Sequence, residues 1–164
     1  MTRPSGEPAR PPGTVAGLGP TVGRWLVLIG LPWVAGRLLV AVSYLVVRVG
    51  VDELGVDRPF QLTEGLLAWD GGWYREIAEG GYDRVGVEGV RFFPLFPLLG
   101  RLLSPLMLGS EGAALVLVAN LASVAVLVLL HRLVLEHTSD DVLARRAVWV
   151  MALFPSAFVF TWAY

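Results

Sequence analysis

In the stretch WDGGWYREIAEGGY, Trp69 to Tyr82, an aspartate stands directly behind a tryptophan, with two glycines, an aromatic pair and an arginine after it. About ten residues later comes FFPLFPLL. A helix over 69–79, turning about 100° per residue, sets Trp69, Trp73, Tyr74 and Ile77 on one arc, with Arg75 and Glu79 opposite. Tryptophan and tyrosine favour the headgroup level of a bilayer, and Gly80-Gly81 supplies a C-cap. Asp70 then lies among aromatic rings at the depth where a lipid phosphate and an attached sugar sit. The plainer reading makes Asp70 a helix N-cap, and the two roles are compatible. Trp69, Trp73, Tyr74 and Tyr82 read as interfacial anchors whose faces could also stack on a sugar. Glu76, Glu79, Asp83 and Glu88 read as a solvated face, with Glu88 the best second carboxylate because it precedes the Phe-Phe-Pro entry to the membrane.

The elements that must position these residues are apolar. Of the 164 residues, 55% are hydrophobic, and the mean hydropathy is +0.63. An ordinary soluble domain runs at about 45–50% apolar, so this is a membrane chain. Residues 1–23, rich in Pro, Gly and Arg, have no apolar face to bury and read as a disordered tail rather than a signal peptide. Residues 24–50 are long enough to cross a hydrocarbon core of about 30 Å. Residues 112–135 give a second span and 143–164 a third, joined by a polar turn at 136–142 in which Ser139 or Asp140 caps a helix. Residues 93–111 are apolar but carry Pro94, Pro97, Pro105 and Arg101, and read as interfacial or re-entrant. The expected class is all-α and polytopic, with about three spans and a loop, 51–92, that carries short interfacial helices.

Three spans place Arg3, Arg10 and Arg24 on the same side as Arg132, Arg145 and Arg146, which the positive-inside rule makes cytoplasmic. The loop with the aspartate is then extracytoplasmic. Arg37, in the middle of the first span, must face protein, water or an anion, and Asn120 in the second suits an interhelical hydrogen bond. His131 and His137, with Glu136, Asp140 and Asp141, match no metal-ligand spacing. All thirteen basic residues are arginine, net charge is −1, and no nucleic-acid face follows. With no cysteine, disulfides, thiolate chemistry and cysteine metal sites are excluded.

WDGGWYREIAEGGY, FFPLFPLL and the closing LFPSAFVFTWAY together resemble the PIG-V type of mannosyltransferase and its bacterial relatives, integral membrane glycosyltransferases of the GT-C class. The strongest match covers Trp69 to Leu99, and a weaker one runs through Asn120 and Phe154 to Tyr164. The resemblance implies transfer of a hexose, typically mannose, from a polyprenyl-phosphate carrier to a glycolipid or protein acceptor at the extracytoplasmic face of a bacterial plasma membrane. The family's loop aspartate falls on Asp70, which would take the proton of the attacking hydroxyl. Arg75, Arg84, Arg91 and Arg37 are candidates to meet the charge on the leaving phosphate, and Trp69, Trp73, Tyr74, Tyr82 and Glu88 complete the expected substrate surface. No nucleotide is expected, no Gly-rich phosphate loop being present, and a divalent metal is an open option without assigned ligands. The family has many more helices and its pattern continues past the third span, so the chain is expected to be the N-terminal part of a longer enzyme. The rival readings are a small non-catalytic membrane protein that packs against a partner, with Asp70 capping an interfacial helix, and a transporter piece with Arg37 as its anion site.

Overall fold

The computed structural model describes residues 22–163, and among them the fold is entirely helical. The expected tail lies outside the described residues except Val22 and Gly23, which already belong to the first helix. Helix α1 runs Val22–Leu54, α2 Phe60–Glu64, α3 Asp70–Gly80, α4 Gly86–Gly89, α5 Leu95–Leu103, α6 Glu111–Thr138 and α7 Asp141–Leu153. Short 3₁₀ turns follow α2, α3 and α5, and another spans Pro155–Phe160.

Two of these helices, α1 and α6, are long and apolar enough to cross a membrane. Leu38, Leu39, Val42, Leu45 and Val46 of α1 are each more than half exposed, a surface suited to hydrocarbon rather than water. Within α1 the winding widens to a π turn over Leu26–Gly30, just before Pro32. Proline has no N–H to return to the carbonyl four residues back and its ring crowds that position, and the wider turn accommodates both effects.

The expected third span is not one helix. Its apolar run, 143–164, is helical only through Leu153, because Phe154 precedes Pro155 and takes an extended backbone, φ −59° and ψ 137°. The thirteen residues of α7 rise about 20 Å, short of a hydrocarbon core. The expected turn before it is present: Ser139 adopts φ 54°, and the Asp140 carboxylate accepts from the N–H groups of Val142 and Leu143 at 2.8 and 3.0 Å. Asp140, of the two candidates, is the N-cap.

Helices α1, α6 and α7 pack around Leu28, Ile29, Leu127, Val148 and Ala152. Gly36 permits the closest approach, since a Cβ there would sit 2.5 Å from the Ala152 carbonyl oxygen. At one end of this bundle Asp141 meets Arg24 and Arg145, each at 3.4 Å, and His131 at 3.7 Å. The loop with the candidate residues gathers at the other end, where α1 finishes and α6 begins.

Residues 93–111, read as interfacial or re-entrant, form α5, a 3₁₀ turn and a tight reversal into α6. Their prolines start helices: Pro94 is the N-cap of α5, Pro97 lies in its first turn and Pro105 in the first turn of the 3₁₀ segment, where a missing N–H removes no helical bond. Gly100 lets α5 lie directly on Leu115 of α6.

Candidate active site

Asp70 is the first residue of α3, and the cap position before it belongs to Trp69. No side chain caps this helix, so the reading of Asp70 as the N-cap is corrected. Trp69 holds φ 59° and ψ −123°, a region that L-residues avoid and that costs on the order of 1–3 kcal/mol. This backbone turn takes Trp69 off the α3 arc on which periodicity placed it. Asp70 itself is half-buried, and its carboxylate makes no hydrogen bond or ion pair among the described residues.

The other aromatic residues turn inward. Trp73 stacks on Phe92 at 5.8 Å, and Tyr74 meets Phe92 and Phe96 edge-on at 5.1 and 4.9 Å. Tyr82 donates its hydroxyl to the Phe92 carbonyl at 2.6 Å. With Ile77 and Val85 these rings form a small core that fastens α3 to the Phe-Phe-Pro segment. Trp73, Tyr74 and Tyr82, expected as headgroup anchors, are half-buried and pack on Phe92 through these contacts. Burial, then the neighbouring Asp70 charge and Tyr82, push the Tyr74 phenol above its ordinary value of 10.0. The field of Asp70 thus reaches the hydroxyl four residues on.

The arginines separate by partner. Arg75 and Arg84 share Glu79, at 3.8 and 3.4 Å. Arg91 is exposed, lies over the Phe92 ring at 5.2 Å and has no carboxylate partner among the described residues. Arg37 donates from Nε to the Asn120 side-chain oxygen at 3.1 Å and from Nη2 to the Ser123 hydroxyl, and its guanidinium lies 4.5 Å from the centre of the Trp33 ring. Its charge is met inside the bundle, as its place in an apolar helix requires. Glu88 stands exposed on α4 and makes no hydrogen bond or ion pair among the described residues, so nothing joins it to Asp70. Among those residues no three metal-ligating side chains gather.

The end of the chain supplies what local periodicity missed. Trp162, buried, stacks on Trp69 with ring centres 4.7 Å apart and planes 25° from parallel. The Ala163 N–H donates to the Leu66 carbonyl at 3.0 Å. A Cβ on Gly71 would lie 2.6 Å from the Ala163 carbonyl oxygen, whereas Gly72 has no neighbour closer than 3.9 Å. Of the two glycines behind Asp70, only the first is demanded by packing. Trp162 also walls an apolar cleft of about 530 Å³ between α1 and the Pro155–Phe160 turn, and Arg37, Tyr44 and Leu153 are among its other walls. Asp70 does not line this cleft. A signal for these contacts was the pair of polar residues, Arg37 and Asn120, each set within an apolar stretch.

No family model, curated protein or solved structure matches the chain.

Proposed function

We propose that the protein is part of a membrane glycosyltransferase that moves mannose or another hexose from a polyprenyl-phosphate donor to a hydroxyl of a glycolipid or protein acceptor. In this reaction the acceptor oxygen attacks the anomeric carbon, the bond from that carbon to the phosphate oxygen breaks, and the prenyl phosphate leaves with the electron pair. Asp70 takes the proton of the attacking hydroxyl. The observation that carries the reading is the state of Asp70, a half-buried carboxylate at a helix start that neither caps the helix nor pairs with a cation among the described residues. Arg91 is the candidate for the leaving phosphate, because Arg75 and Arg84 already share Glu79 and Arg37 is engaged with Asn120 and Ser123. The gathering of Arg24, Arg132 and Arg145 around Trp25 and Asp141 at the opposite end supports an extracytoplasmic Asp70 by the positive-inside rule.

The test is sided. The chain has no cysteine, so Asp83→Cys near the motif and Thr138→Cys at the far end each give a single label site. Intact cells treated with a membrane-impermeant maleimide should label the first variant and spare the second. Membranes containing the protein should transfer radiolabelled hexose from a polyprenyl-phosphate donor. Labelling of Thr138→Cys alone would remove the reaction from its proposed side.

A further inference from the structure

A chain of contacts runs from the middle of α1 to the residue before Asp70. Arg37 donates from Nε to the Asn120 Oδ1 atom at 3.1 Å. A guanidinium has only donors, so it selects the oxygen of the amide and leaves the Asn120 NH₂ directed away from it. That NH₂ donates to the Val116 carbonyl at 2.9 Å within α6 and to the Thr161 carbonyl at 3.2 Å across the bundle. The next residue, Trp162, is the one stacked on Trp69, and the next again, Ala163, is bonded through its N–H to Leu66 and fills with its carbonyl the space beside Gly71. Three consecutive residues therefore hold both flanks of Trp69, whose positive φ persists only while its surroundings impose it. Trp69 in turn sets where α3 begins and where the Asp70 carboxylate is aimed.

We propose that Arg37 is a positioning residue for Asp70: it orients the Asn120 amide, which tethers Thr161 and so presses Trp162 onto Trp69. Lysine would not replace it, because Asn120, Ser123 and the Trp33 face are met together by one planar group. The inference rests on Asp70 being the working carboxylate, and it gives Arg37 a role other than anion binding.

Two stacked indoles couple their transitions, so the protein should carry an exciton couplet in its circular dichroism that Trp69→Phe or Trp162→Phe removes. Asn120→Asp is the critical variant. An aspartate there still accepts from Arg37 but has no N–H for Thr161, so the couplet should fall by about half or more while the helical signal stays. Transfer should lose about 10- to 100-fold in kcat with the donor KM little changed, as for a misplaced catalytic group. Arg37→Gln and Arg37→Lys should do the same. A couplet that persists in both Asn120→Asp and Arg37→Gln overturns the tether, whatever Asp70 does. A lost couplet with kcat intact overturns the positioning role. Full transfer by Asp70→Asn would instead bring down the reading of Asp70 and the positioning role with it, leaving the couplet to decide the tether alone.

Discussion

Two aspartates begin helices at opposite ends of the bundle, and they are used differently. Asp140 accepts from two main-chain N–H groups of α7, and its neighbour Asp141 takes up Arg24, Arg145 and His131. Both of these carboxylates have a structural task. At the other end Asp70 starts α3 with no cap bond and no ion pair among the described residues, under a tryptophan held at φ 59°. Asp140 occupies the N-cap and Asp70 the first helical position, and of the two only Asp140 has bonds among the described residues that explain it structurally.

The contrast can be broken most severely through Gly71. Gly71→Ala puts a methyl against the Ala163 carbonyl oxygen, a backbone atom with no rotamer to escape through. It should cost about 1–3 kcal/mol and abolish the Trp69–Trp162 coupling, whereas Gly72→Ala should do neither. Thermal unfolding and circular dichroism of the two variants read the difference. Next in size, Asp140→Ala should destabilise by about 0.5–2 kcal/mol through the lost cap. Asp70→Ala should stay within about 0.5 kcal/mol, since it removes no hydrogen bond or ion pair among the described residues. Equal losses in denaturant titrations would erase the distinction between the two ends.

The smallest effect is a titration. The Tyr74 phenol is raised by burial first and by the Asp70 charge second. The folded state therefore keeps this proton past the pH at which an unfolded tyrosine releases it, so the contribution to stability is complete below about pH 10 and is lost as pH rises through the folded value. Absorbance of tyrosinate should show one of the four tyrosines titrating late, and Asp70→Asn should move that step to lower pH without abolishing the shift. An unchanged step would mean that the Asp70 charge lies too far from Tyr74 to matter.

How far these two ends were legible in the sequence follows from the range of the forces involved. The all-helical class, the turn before α7 and the Gly81 cap depend on neighbours within a few residues, and all three appear in the structure. The end of α7 was also readable locally: an extended residue before Pro155 outweighs the apolar run around it. The part the prolines of 93–111 play was not readable, because a proline breaks a helix interior yet suits its first turn, and only the start of α5 decides which applies. The site was legible in part. Asp70 and its glycine partner stand out in the motif, but Trp69 meets Trp162 from the far end of the chain, and no periodicity of one helix encodes a contact of that range. Trp73 and Tyr74 have the expected spacing, but their contact with the Phe92 ring is one that the periodicity of a single helix does not encode.

Hexose transfer by membranes carrying Asp70→Asn, compared with Asp140→Asn at equal protein abundance, addresses the role of Asp70 most directly. Removal of the base should lower transfer by about 10²- to 10⁴-fold in Asp70→Asn with its melting temperature retained, while Asp140→Asn keeps its rate. Undiminished transfer by Asp70→Asn would contradict the account.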